Sequence, residues 1–163
     1  LRIAADGQIL ARGPGVMLGY YRDAEATAAT VVDGWLHTGD IGFVDEDDFV
    51  FLVDRAKDMV LRGGENVYRT EVEVAIFKHD AVAEAAVFSV PDERLGEEVG
   101  AAVLPMADQE LSAAALREFL ADKLAPFKIP RYIWIMDTPL PRNASGKFVK
   151  RELKDMLDIA DAS

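Results

Sequence analysis

The chain has 163 residues and a formal net charge of −11, and half of its residues are hydrophobic. This composition is typical of a globular protein of about one domain, and the negative charge argues against a nucleic-acid surface or an anionic membrane face, which need basic patches. Cysteine is absent and only His37 and His79 represent histidine, so disulfides and thiol catalysis are excluded and a metal site is not expected. No apolar run is long enough to predict a membrane span.

The first part of the chain predicts strands and turns. It opens at Leu1 inside a strand-like pattern without a signal-like segment, which indicates a piece of a longer, cytoplasmic protein. Asp23 is placed to cap a short helix. A turn is expected at 33–34, and residues 41–54 predict a hairpin around an acidic turn at 45–48.

The second part predicts alternating strands and helices. Residues 55–64 combine charges with a Gly-Gly pair and are our candidate domain boundary. A capping box of Thr70 and Glu73 is expected to open a helix that runs to about His79. Ser112 is placed to cap a helix that ends before Pro126. The remaining patterns predict strands near 82–90, 99–106 and 131–137 and a closing helix near 150–158. This order predicts a small α+β domain.

The segment PRNASGK at 141–147 presents a single lysine on a loop that we expect to be flexible. It is not a phosphate-binding P-loop, because Pro141 stands where the first glycine is required and Phe148 follows Lys147. A lone lysine on such a loop is most often a solvated surface charge. The functional alternative is a mobile cation that meets a phosphate or carboxylate.

Two other segments contain polar residues in glycine-rich surroundings. In GWLHTGD, Asp40 is either a turn residue or a carboxylate that binds vicinal hydroxyls, and His37 is interpreted as structural. His79 is placed to interact with the end of a helix dipole. In DRAKDMVLRGGENVY, the Gly63-Gly64 pair is either an ordinary turn in a charged surface loop or an exposed stretch of backbone that a ligand can approach.

Taken together, the ordered segments RGPGVMLGYY, GWLHTGD, DRAKDMVLRGGENVY and LPRNASGK resemble the final part of adenylate-forming (AMP-binding) acyl-CoA synthetases, a superfamily that includes fatty-acid–CoA ligases and luciferases. The resemblance extends from about Gly7 to Lys154. It implies an α+β fold with a small mobile C-terminal domain, in which helices flank a mixed sheet, after a β-rich remnant of the large N-terminal domain. On this basis residues 1–54 end the N-terminal domain and residues 55–163 form the mobile domain.

The resemblance implies a role for each matching position. Asp40 and Arg55 match residues that bind the ribose of ATP, and Lys57 matches the hinge about which the small domain rotates. Gly63 and Gly64 match a loop that lines the path of CoA. Lys147 matches the catalytic lysine that bridges the substrate carboxylate and the nucleotide during adenylation.

The resemblance implies an ATP-dependent ligase of a carboxylic acid, with a fatty acid the expected substrate, that forms acyl-AMP and then acyl-CoA. The cofactors that the resemblance implies are ATP, CoA as co-substrate and Mg²⁺. It also implies that Mg²⁺ is held mainly by the N-terminal region, which this sequence lacks. Two departures from the family pattern are Arg69 in place of proline after Tyr68, and Asn66 where some members have arginine.

Three alternatives stay open. The protein is an acyl-AMP ligase, a carrier-protein-dependent adenylation domain, or, as this chain alone, an inactive non-catalytic module. Lys147 is also an expected target of a lysine acetyltransferase, because acetylation removes its charge.

Overall fold

A computed structural model describes all residues from Leu1 to Ser163, and the chain forms two compact units. Unit 1 comprises Leu1–Lys57 and unit 2 comprises Asp58–Ser163. No helix in either unit combines the length and apolar character that a membrane crossing requires.

Unit 1 is an antiparallel sheet with one short helix, and its elements are β1 (Arg2–Ile3), β2 (Gln8–Ala11), α1 (Ala24–Thr30), β3 (Val31–Val32), β4 (Trp35–Val44) and β5 (Val50–Arg55). Strand β4 is central because it pairs with β2, β3 and β5. The carboxylate of Asp23 accepts a hydrogen bond from the Ala26 amide, which confirms the predicted cap of α1. The predicted hairpin is also present, and Asp45 closes its acidic turn by accepting from the amides of Asp47 and Phe49.

Unit 2 is a mixed sheet covered by helices, and its elements are β6 (Val60–Arg62), β7 (Glu65–Val67), α2 (Arg69–Ile76), β8 (Val82–Asp92), β9 (Gly96–Pro105), α3 (Ala113–Ala121), β10 (Tyr132–Ile135) and α4 (Lys150–Met156). Strand β9 is central: it pairs with β8 and β6 in antiparallel fashion and with β10 in parallel. The predicted α+β class and mixed sheet are therefore confirmed.

Apolar side chains cover both faces of this sheet. Because side chains alternate along a strand, Ala85 and Val87 of β8 join one core cluster with α2 and α3. Ala86 and Phe88 join a second cluster with Trp134 and α4. Burial on both faces explains why β8 and β9 read as nearly continuous apolar runs.

The helix boundaries of unit 2 correct one prediction and confirm another. The capping box was wrong: α2 begins at Arg69, has no side-chain cap and ends at Ile76. The Glu73 carboxylate instead accepts from the Val87 amide at 2.8 Å. The predicted cap of α3 is confirmed, because the Ser112 hydroxyl accepts from the Ala115 amide.

His79 lies beyond the last residue of α2. Its Nδ1 accepts a hydrogen bond from the Ala81 amide, and its ring packs edge-on against Phe119. The ring therefore fixes the turn into β8, and its predicted interaction with the helix dipole stays a prediction.

Candidate functional site

In unit 1, an ion pair joins β4 and β5 at the first candidate position. Asp40 lies directly opposite Arg55 in the antiparallel register, and the Arg55 Nε donates to Asp40 Oδ1 at 2.9 Å. The Arg55 side chain is 56% exposed and the Asp40 side chain is 29% exposed. The sequence predicted both residues as functional, and the structure brings them together with charged groups that a ligand can reach.

The backbone before Asp40 explains the orientation of this carboxylate. The Thr38 hydroxyl donates to the Ile9 carbonyl of the neighbouring strand at 2.8 Å and accepts from the Asp40 amide. Gly39 between them has a φ of 75°, a left-handed conformation that glycine adopts without strain. The Thr-Gly-Asp sequence is therefore a local device that sets the direction of the Asp40 side chain.

Lys57 is the last residue of unit 1 and lies in a short 3-10 helix, Ala56–Asp58. Ion pairs fix the chain on both sides of it. Two residues earlier, Arg55 is bound to Asp40 within unit 1. One residue later, Asp58 accepts from Arg69 Nη2 at 2.7 Å within unit 2. Arg69, which departs from the family pattern, thus serves to anchor the start of unit 2.

Gly63 and Gly64 form the two-residue turn between β6 and β7. Their φ values of 58° and 91° are those of a hairpin turn that favours glycine at both positions. A Cβ on Gly63 would lie 2.9 Å from the Leu95 side chain, whereas a Cβ on Gly64 would meet no atom within 4 Å. The turn is therefore supported from one side and has backbone open to approach on the other.

The hairpin that contains this turn is fixed to the turn between β8 and β9. The Gly63 amide donates to the Leu95 carbonyl at 2.9 Å, and the Leu61 amide donates to Glu97 at 2.9 Å. Arg62 Nε donates to Oε2 of Glu98 at 2.8 Å, and Glu98 is 0% exposed. Hydrogen bonding to Glu98 raises the pKa of Arg62, so this guanidinium stays charged.

Lys147 lies on a loop whose backbone is hydrogen-bonded, in contrast to the predicted flexible loop. The Asn143 side-chain oxygen accepts from the amide and hydroxyl of Ser145 and from the amide of Lys147. The Asn143 amide in turn donates to the Lys147 carbonyl at 2.9 Å. The backbone of Lys147 is thus fixed, while its ammonium group has no hydrogen-bond or ion-pair partner within the chain.

An ion pair also anchors the Lys147 loop to β8. Arg142 donates to Glu84 Oε1 and to the Gly146 carbonyl, both at 2.8 Å. Glu84 Oε2 accepts from the Leu140 amide at 2.8 Å. Burial of Glu84 acts to raise its pKa, but the bonds from Arg142 and Leu140 outweigh burial and leave the pKa lowered.

A separate cavity of about 270 Å³ lies between the sheet and α4 in unit 2. Phe88, Trp134 and Leu157 are among the residues that line it, and the Lys154 ammonium donates to the Ser89 hydroxyl at its edge. Burial lowers the pKa of Lys154. None of the residues predicted from the sequence to be functional lines this cavity.

Sequence reasoning missed the two glutamates that hold the candidate loops. Glu84 bonds to Arg142, 58 positions away in the sequence, and Glu98 bonds to Arg62, 36 positions away. No local sequence motif can predict contacts between residues so far apart in the chain. One signal was available for Glu98: it directly precedes the apolar strand segment VGAAVL, where an unpaired charge is costly to bury.

Comparison with known proteins agrees with these features. Residues 71–147 match the family AMP-binding enzyme C-terminal domain. The chain is 50% identical over 157 residues to 3-[(3aS,4S,7aS)-7a-methyl-1,5-dioxo-octahydro-1H-inden-4-yl]propanoyl:CoA ligase of Mycobacterium tuberculosis, which covers 96% of this chain and 31% of that protein. It is 47% identical to fatty acid–[acyl-carrier-protein] ligase ScoC of Streptomyces coeruleorubidus, with 93% of this chain and 29% of that protein covered.

A solved structure is similar as well. The o-succinylbenzoate CoA synthetase (MenE) of Bacillus subtilis, in complex with its acyl-adenylate intermediate OSB-AMP, superposes with a TM-score of 0.80 at 38% identity. The match covers 93% of this chain and 31% of that one. The chain thus spans about a third of the length of the relatives that it matches.

Residues 71–147 of unit 2 match the AMP-binding enzyme C-terminal domain, and the α+β fold of the unit agrees with that match. The relatives of the chain are ligases of the adenylate-forming superfamily, and the predicted likeness to the C-terminal part of an acyl-CoA synthetase of this superfamily is confirmed.

Proposed function

We propose that this chain is part of an ATP-dependent carboxylic acid–CoA ligase, which first forms acyl-AMP with release of pyrophosphate and then transfers the acyl group to CoA. The observation on which the proposal rests is the unpaired Lys147 ammonium on a loop with a fixed backbone. The likeness to named CoA ligases supports the same reaction.

The first half-reaction needs a cation where two anions meet. When a carboxylate attacks the α-phosphate of ATP, negative charge repels negative charge and increases in the transition state. A pre-oriented cation lowers such a barrier, and removal of one comparable electrostatic donor costs about 3–4 kcal/mol. Lys147 is assigned this catalytic role, and Asp40 and Arg55 are assigned the binding of ribose hydroxyls.

The second half-reaction needs a different surface in the same place, because a thiol must now approach the acyl-AMP. We assign this surface to the turn at Gly63 and Gly64, whose open side admits a narrow ligand. Rotation about Lys57 would exchange the two surfaces, since hinges are a few residues that absorb a large change in φ and ψ. The strand pairing of Arg55 with Asp40 before Lys57 and the ion pair of Asp58 with Arg69 after it support the assignment, because they confine free rotation to the residues between them.

The experiment that tests this proposal is the substitution Lys147→Ala in the intact enzyme. We expect carboxylate-dependent exchange of pyrophosphate into ATP to fall by about 100-fold or more, because the transition-state cation is lost. Transfer of the acyl group from supplied acyl-AMP to CoA should persist. If both half-reactions keep their wild-type rates, the role of Lys147 is wrong.

Lys78 provides a matched control. It is an exposed lysine of unit 2 with no ion-pair partner, as Lys147 is without one. The substitution Lys78→Ala should leave both half-reactions unchanged. An equal loss in both alanine variants would indicate a general effect of surface charge.

The identity of the acid is a separate part of the proposal. We infer a fatty or related carboxylic acid, with support from ScoC, while the names of other relatives specify a bicyclic propanoate and 2-succinylbenzoate. A panel of saturated fatty acids, cyclic propanoates and 2-succinylbenzoate, assayed for pyrophosphate release by the intact enzyme, distinguishes them. Release with the cyclic acids alone would contradict a fatty-acid substrate.

A carrier protein is the second candidate acceptor, and the 47% identity to an acyl-carrier-protein ligase favours it. Acyl transfer to free CoA in the absence of any carrier would support a CoA ligase. Transfer to a phosphopantetheinyl carrier alone would support the alternative, and release of acyl-AMP without transfer to either acceptor would identify an acyl-AMP ligase.

Four smaller expectations accompany the proposal. The chain assembles no group of three His, Cys, Asp or Glu side chains that could hold a metal, so we assign no step to Mg²⁺ through its residues. The chain of 163 residues alone is expected to be inactive, and ATP turnover by this chain would refute that expectation.

Acetylation of Lys147 by a lysine acetyltransferase would abolish the charge of its side chain. A cytoplasmic location stays a prediction.

A further inference from the structure

Unit 2 contains two candidate loops, and a different glutamate anchors each of them to the same hairpin of β8 and β9. Glu84 lies on β8 opposite Leu104, and Glu98 lies on β9 opposite Val90. Six residues separate position 84 from position 90 along β8, which corresponds to about 20 Å at the usual rise of a strand. The two carboxylates therefore act at opposite ends of one rigid element.

Each glutamate reaches its loop through one arginine. Glu84 accepts from Arg142, which also donates to the carbonyl of Gly146, the residue before Lys147. Glu98 accepts from Arg62, the residue before Gly63. Arg142 therefore joins a strand carboxylate to the Lys147 loop by a hydrogen bond to the loop backbone, whereas Arg62 joins one to the Gly63-Gly64 turn because it directly precedes that turn in the chain.

The environment of Glu98 indicates that its charge serves orientation. It is fully buried, Oε1 has no hydrogen-bond partner, and the nearest other cation, Arg131 Nη1, lies 3.7 Å from that oxygen. Burial of such a group is costly, and well-packed apolar residues often replace a buried ion pair without loss of stability. Apolar residues, however, cannot hold a guanidinium group in a fixed direction.

We propose that Glu84 and Glu98 are positioning residues, each dedicated to one half-reaction: Glu84 holds the Lys147 loop for adenylation, and Glu98 holds the Gly63-Gly64 turn for thioester formation. This inference rests on the proposed function. It adds two residues that act through Arg142 and Arg62 and do not themselves touch the reacting atoms.

The test compares Glu84→Gln and Glu98→Gln in the intact enzyme, because glutamine keeps the size and one acceptor oxygen of the native side chain. We expect Glu84→Gln to lower carboxylate-dependent pyrophosphate exchange by about 10- to 100-fold, since small misplacements of reacting groups cost that much. Transfer from supplied acyl-AMP to CoA should not change. Glu98→Gln should show the reverse: exchange unchanged, and the KM for CoA raised or transfer slowed by about 10- to 100-fold.

Two further variants separate positioning from folding. Arg62→Met combined with Glu98→Leu replaces the buried pair by apolar side chains, so this variant should fold while its transfer step stays slow. Glu71→Gln removes the ion pair between Glu71 of α2 and Lys128. This pair holds neither loop, so the variant should alter neither half-reaction.

The outcomes are distinguishable. A wild-type enzyme without carboxylate-dependent exchange or without transfer to CoA contradicts the proposed function. A wild-type enzyme active in both steps, whose Glu84 and Glu98 variants lose both steps equally or neither, contradicts the positioning roles.

Discussion

Unit 1 and unit 2 differ in how much of their apolar surface is buried. In unit 1 only Ile9, Leu10 and Ile41 are buried apolar residues, whereas unit 2 has two core clusters on the two faces of its sheet. The β4–β5 hairpin of unit 1 exposes Phe49 and Leu52, the latter at 71%. Hydrophobic burial is the main favourable contribution to folding, so unit 2 has the means to fold by itself and unit 1 does not.

The largest expected effect follows from separating the units after Lys57. Residues 58–163 should fold cooperatively, because their two clusters are complete within the unit. Residues 1–57 should stay unfolded, because a small unit with three buried apolar residues cannot offset the loss of chain entropy. Dispersion of amide resonances in NMR spectra of the two pieces checks this prediction, and a cooperatively folded 1–57 piece would contradict the comparison.

A pair of leucines sharpens the comparison at single residues. Leu116 of α3 is fully buried, and Leu116→Ala should cost about 2–5 kcal/mol of unfolding free energy. Leu52→Ala should change it by less than about 0.5 kcal/mol, because the side chain is already in solvent. Urea unfolding of the 163-residue chain, followed through Trp134 in unit 2, measures both variants. Equal losses from the two variants would disprove the difference in burial.

The same contrast explains which features the sequence predicts. Periodicity and caps are local, so the helix that begins after Ser112 and the hairpin around Asp45 were predicted correctly. The Thr70 to Glu73 capping box failed because Glu73 bonds instead to Val87 and Lys150, far along the chain. Local patterns therefore predict elements, whereas tertiary partners decide how a polar side chain is used.

The residues of the candidate site also fall into those that local motifs predict and those that only tertiary contacts reveal. Asp40, Arg55 and Lys147 were proposed as site residues from ordered motifs, and the pairing of Asp40 with Arg55 is a consequence of strand register. The anchoring roles of Glu84 and Glu98 depend on contacts that form only when unit 2 is assembled. A single sequence contains no record of those contacts.

Acid should weaken the anchor of the Lys147 loop in unit 2. The pKa of Glu84 in the folded chain is below its ordinary value of 4.5, so its ion pair stabilises the fold fully above pH 4.5 and loses this contribution as the pH falls through the lowered pKa. Glu84→Gln should cost about 1.5–3 kcal/mol at neutral pH, typical of hydrogen bonds to a charged group. Thermal unfolding of both chains between pH 3 and pH 7, a range chosen around the usual carboxyl pKa of about 4, should show the difference shrinking at the acid end. A difference that stays constant with pH would contradict an ionised Glu84.

The smallest expected effect concerns the ion pair of unit 1. Arg55 is 56% exposed, so solvent screens its attraction to Asp40, and Arg55→Ala should change the unfolding free energy by about 0–1 kcal/mol. In the intact enzyme the same variant should weaken ATP binding markedly, because the exposed pair is assigned to the ribose. Titration of ATP into wild-type and Arg55→Ala enzyme, with Arg12→Ala as an arginine control in unit 1, measures this effect. A buried pair such as Arg62 and Glu98 is expected to act by orientation, and an exposed pair such as Asp40 and Arg55 by direct contact with the ligand. If the ATP affinity of Arg55→Ala is unchanged, the exposed pair does not contact ATP and this distinction is wrong.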